Sequence, residues 1–146
     1  MNKDTTRNLS RILEDMSDHD AAEQFIKEYS SGPIEHFYQY FNSYVAASNK
    51  NVTDVIRRSG ISRNYVYNIL NGNKSNPGRD KVLALCIGAG MNFSQTQRGL
   101  EISGLAPLYP KNERDVRISI AINQGIDDVA EINRILDSFH LTLLNI

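Results

Sequence analysis

NVTDVIRRSGISRNYVYNILNGNKSNP, residues 51–77, decides how the rest of the chain is read. At about 100° per residue, residues 62–71 divide into two faces. Arg63, Asn64, Tyr67, Asn68 and Asn71 share one; Tyr65, Val66, Ile69 and Leu70 share the other, with Ser62. One helix thus has an apolar seat and a row of hydrogen-bonding side chains. Ser62 suits its N-cap, and Asn71-Gly72 suits its end. Before it, residues 52–59 predict a second short helix. Gly60 stands where a tight turn needs a residue free to take positive φ. The pattern is that of a helix-turn-helix. Arg side chains match the edge of guanine and Asn side chains that of adenine, so the polar face is suited to the DNA major groove. Asn is also a weak helix former, and several in one short helix have no evident structural return.

Outward from this stretch, helical spacing continues in both directions. Toward the C-terminus, Val82, Leu83, Leu85, Cys86 and Ile87 predict a helix from Arg79 to about Ala89, with Cys86 in the core. Toward the N-terminus, Ile34, Phe37, Tyr38, Phe41, Tyr44 and Val45 make an apolar stripe, and Pro33 suits its first position. Residues 4–16 and a segment from Ser17 to Tyr29 predict two earlier helices. Residues 95–108, QTQRGLEISGLAPL, align with residues 131–144, EINRILDSFHLTLL, at a separation of 36. Each copy follows an apolar helix ending at a glycine, Gly90 or Gly125, with one residue of slip. The reading is two related helical hairpins, each closed by a Leu-x-x-Leu tail, with the tails paired as short strands.

The totals constrain function. A length of 146 residues suits one domain with extensions. No apolar run approaches a membrane span, and the N-terminus has no apolar signal region, so a cytoplasmic protein is expected. The single cysteine, Cys86, excludes an internal disulfide and a multi-Cys zinc site. The net charge is −1, yet residues 55–98 hold seven basic residues against the one acid Asp80, a net of +6 that leaves −7 for the remainder. A local positive field, not the total, is what phosphates feel.

Residues 37–103 resemble the helix-turn-helix of the Xre family, the lambda-type phage repressors and their bacterial relatives. The resemblance is carried by Val55-Ile56, Gly60-Ile61-Ser62, Val66, Ile69, Asn71-Gly72 and Pro77, followed by Val82-Leu-Ala-Leu. It implies an all-α, lambda-repressor-like five-helix domain at residues 32–104, an N-terminal helical extension at 1–31 and a C-terminal helical hairpin at 105–146 packed on that domain. It implies base contacts from Arg63, Asn64, Tyr67 and Asn68. It implies phosphate contacts from Ser62, Asn73, Lys74, Arg79 and the helix start at Thr53, with Arg57 or Arg58 as further candidates. The sequence departs from the family at Val52, where Gln is usual, and at Leu70, where Glu is usual.

Catalytic readings find no support. His19, His36 and His140 have no metal-ligand spacing. Asp127-Asp128 reads as charge at a helix start, and Gly72-Asn-Lys-Ser lacks the glycines of a phosphate loop. The expectation is a sequence-specific, double-stranded DNA-binding transcriptional regulator that is not an enzyme and uses no cofactor or metal. The acidic extensions offer a homodimer seam or an effector or protein-partner surface. The rival is a protein-interaction adaptor that keeps the helix-turn-helix scaffold without DNA binding, a reading favoured by the near-neutral total and the two departures.

Overall fold

Eight consecutive residues, Val82 to Ala89, are all buried, and the other helices assemble around them. The computed structural model describes residues 36–74 and 76–146. The helices expected at residues 4–16 and 17–29, and Pro33 itself, lie outside the described residues. The chain divides into two units, Met1–Ile34 and Glu35–Ile146. Residues 105–146 therefore belong to the same unit as the helices before them.

Every element among the described residues is α-helical: α1 (Phe37–Ala47), α2 (Val52–Ser59), α3 (Arg63–Leu70), α4 (Arg79–Gly88), α5 (Phe93–Ile102), α6 (Glu113–Asn123) and α7 (Val129–Ser138). Their starts follow from local chemistry. Asn51, Ser62, Asn92, Asn112 and Asp128 each accept a hydrogen bond from a backbone N–H of the first turn they cap. The Pro33 start is corrected: His36 is extended and α1 begins at Phe37, with Gln39 Oε1 accepting the His36 N–H at 2.8 Å.

Helix α4 is the hub. Helix α2 lies across it at a spacing that only glycine permits, since a Cβ on Gly88 would meet Ser59 N at 2.8 Å and Val55 O at 2.9 Å. Helix α1 packs on α3 and α5, closing the other side with buried Phe37 and Phe41.

The 36-residue alignment has a physical counterpart. The pair α4–α5 and the pair α6–α7 each end in a non-helical tail, and the tails are held by the same bonds. Arg79 donates to Ala106 O (2.9 Å) and Pro107 O (3.1 Å); Arg114 donates to Thr142 O (2.8 Å) and Leu143 O (3.0 Å). Gln97 Oε1 accepts the Leu108 N–H at 2.7 Å, and Asn133 Oδ1 accepts that of Leu144 at 2.8 Å. The two halves are cross-tied. Arg79 forms a two-pronged pair with Asp115, and Arg114 forms one with Asp80. Asp115 also accepts the Tyr109 N–H, while Asp80 accepts that of Asn145. The expectation that the tails pair as strands is thereby corrected. No strand occurs among the described residues. Arginine and amide side chains take the tail groups that a strand partner would have used.

Candidate nucleic-acid interface

The face predicted for α3 depends on how firmly its other face is held. Val66 and Ile69 are fully buried. Asn42 of α1 donates to the Leu70 carbonyl at 2.9 Å, occupying an acceptor that the helix end leaves open. Leu70 and Tyr65 pack partly against the core. At the other end, Gly60 has φ +71°, and the wholly buried Ser59 builds the turn. Its hydroxyl donates to Ile56 O at 2.9 Å and accepts the Ile61 N–H at 3.2 Å. Ser62 Oγ accepts the Tyr65 N–H at 3.2 Å.

With the seat fixed, Arg63, Asn64 and Tyr67 are exposed and Asn68 is half-buried. The Arg63 guanidinium carbon lies 6.0 Å from the centre of the Tyr67 ring, the outer limit of a cation–π contact. Asn73 and Lys74 follow, both exposed, and the Lys74 N–H returns to Asn68 O at 3.1 Å. The ammonium groups of Lys74 and Lys81 each lie 5.1 Å from the Tyr65 ring. Burial pushes the Tyr65 phenol above its ordinary range, so it stays neutral beside both lysines. Among the described residues no Asp or Glu side chain pairs with Arg63, Lys74 or Lys81, and Lys81 is tied to Ile146 O at 2.9 Å. The result is a polar helix face with uncompensated positive charge at its C-terminal side.

Other expected members lie elsewhere. Arg79 commits four of its five N–H donors to Asp115 and the first tail, which leaves its charge neutralised inside a clamp. Those bonds give Arg79, expected at a phosphate, a structural role in the clamp. Arg58 turns inward, donating to Gly88 O at 3.0 Å and lying 3.8 Å from Asp127. Arg57 faces outward but shares its charge with Asp54 at 3.0 Å. Thr53 is exposed on the first turn of α2, and its N–H is capped by Asn51 Oδ1 at 2.9 Å.

Lys81 enters the site only through tertiary structure. In sequence it is one of seven basic residues; in space it shares Tyr65 with Lys74 and donates to Ile146 O at 2.9 Å. The second tail thus ends beside the turn, where Ile146 Cδ1 would lie 2.5 Å from a Cβ on Gly60. It leaves Arg63, Asn64 and Tyr67 open to solvent.

Among the described residues no three His, Cys, Asp or Glu side chains group as a metal site. Burial raises the Cys86 thiol to about 12, which removes it as a nucleophile. No described helix is long and apolar enough to cross a membrane. Compared with protein-family models, curated proteins and solved structures, the chain matches none.

Proposed function

We propose that this protein is a sequence-specific, double-stranded DNA-binding regulator whose helix α3 enters the major groove. Helices α1–α5 then correspond to the five-helix lambda-repressor-like unit of the Xre resemblance, with α2 and α3 as its helix-turn-helix. Arg63 faces guanine, and Asn64 and Asn68 face adenine or mixed edges. Tyr67 reaches a phosphate or a thymine methyl. Ser62, Asn73, Lys74 and Thr53 hold the phosphate backbone and set register. The observation that carries the reading is the exposed Arg63–Asn64–Tyr67 face with exposed Lys74, which no Asp or Glu side chain pairs, at one end. As a dimer the protein would read half-sites about 34–36 Å apart.

Selection from random duplexes, followed by anisotropy titration over a range of salt, tests this. Arg63→Ala is expected to lose about 1–3 kcal/mol on the selected sequence and to relax one base position. Lys74→Ala is expected to weaken all duplexes alike and to reduce the salt slope by about 1. Failure of any duplex to enrich, or equal loss on selected and random DNA for Arg63→Ala, would overturn the assignment in favour of the adaptor.

A further inference from the structure

The internal correspondence has one unequal feature. In the first half, α4 is covered by α2, which rests on α4 and α7 and whose following turn touches the end of the second tail at Ile146. Exchanging the halves carries α4 to α6, α7 to α5, and Ile146 to Pro110. The counterpart of the α2 seat is therefore a face made by α6, α5 and the first tail. That face is a groove enclosing about 360 Å³, lined by Phe93, Leu108, Tyr109, Val116, Ile120 and Asn123 among others. No described helix covers it. Leu85 under the first seat is fully buried, whereas its counterpart Ile120 is 42% exposed and neighbouring Tyr109 is 52% exposed.

We propose that this groove is a docking site for an amphipathic helix of a partner protein. The kind of occupant follows from α2, the helix that the matching face already holds. The side chains it needs follow from one difference between the faces. Gly88 lets the α2 backbone come so close that a Cβ there would lie 2.8 Å from Ser59 N, so Val55 and Ser59 suffice to fill the contact. The matching position is Asn123, whose side chain keeps an incoming backbone farther out. Filling the remaining space then takes Leu or Phe anchors at i, i+4 and i+7. Ser119 and Asn123 at the groove edge can hydrogen-bond the polar flank of such a helix. The site is separate from α3 and does not depend on DNA binding.

The test uses the full chain and methyl NMR. The probes are helical peptides in one Ala/Lys/Glu host, carrying Leu, Phe, Val or Ser at i, i+4 and i+7. The Leu or Phe peptide is expected to shift the methyl signals of Leu108, Val116 and Ile120, with at least about tenfold higher affinity than the Ser peptide. Ile120→Asp, a change at a part-exposed position, should abolish those shifts while the remaining spectrum stays folded. Absence of shifts with every peptide, equal binding of the Leu and Ser peptides, or shifts that survive Ile120→Asp would overturn the proposal. So would shifts of these methyls with protein concentration alone, which would make a second copy the occupant.

Discussion

Asp80 occupies the N-terminal turn of α4, yet its partners are Arg114 of α6 and the Asn145 amide, 34 and 65 residues away. Burial by itself would raise its pKa. The Arg114 hydrogen bonds, the Asn145 N–H and the nearby charges of Arg114 and Arg79 outweigh burial and hold it below the ordinary carboxylate value of 3.8. A carboxylate with a depressed folded-state pKa adds stability that is complete above its unfolded pKa. That stability fades as pH falls from near 3.8 through the folded value. Asp80→Asn is therefore expected to cost about 1–3 kcal/mol at neutral pH. It should also shrink the acid-linked loss of stability below pH 3.8, as read by urea unfolding along a pH series. A variant as acid-sensitive as the parent would count against this role. Nothing local in the sequence marks Asp80 for it, because the arginine that sets its state comes from another helix.

At the scale of elements, much was legible. The bounds read for α2, and the caps Ser62 and Asn71 read for α3, are those observed, because cap chemistry and apolar spacing are local. The start of α1 was misplaced because Pro33 is permissive for a helix start without imposing one, whereas Gln39 reaches back to the His36 N–H. The tails were misread as strands because Leu-x-x-Leu specifies burial and says nothing of which groups satisfy the backbone. The closeness of α2 to α4 was also invisible, since Gly88 looks like any helix-ending glycine until Ser59 is seen against it. Gly88→Ala tests that closeness. Ala improves intrinsic helix propensity by about 1 kcal/mol. Its Cβ, however, would press on backbone atoms that cannot rotate away, an overpacking cost of about 1–3 kcal/mol. The expected outcome in denaturant unfolding is net destabilisation. An Ala variant more stable than the parent would show that the two helices separate easily.

For the molecule as a whole, the matched clamps replace a sheet as the means of closing the C-terminal half. Each arginine satisfies two tail carbonyls and one carboxylate, and each aspartate ties one half to the other. Arg79→Ala and Arg114→Ala should therefore cost similar amounts, about 2–4 kcal/mol, which allows for the partial exposure of both pairs. Arg79→Ala should also leave the salt slope of DNA binding unchanged under conditions where the variant remains folded, unlike Lys74→Ala. A reduced slope would return Arg79 to the phosphate-contacting set. Clamp chemistry and candidate interface are thus separable by one pair of measurements.

Residue order alone determined the helices, the turn at Gly60, the two faces of α3 and the repetition of one hairpin, because each depends on neighbours within a few residues or on periodicity. Only the tertiary structure decided which basic side chains remain available. Arg58, Arg63, Lys74, Arg79 and Lys81 look alike along the chain. Packing spends the charge of Arg79 on Asp115, turns Arg58 toward Gly88, ties Lys81 to Ile146 O, and leaves Arg63 and Lys74 without an Asp or Glu partner among the described residues. The distinction arises because the ion pair of Arg79 closes across 36 residues of intervening chain, a distance over which sequence pattern carries no information about contact.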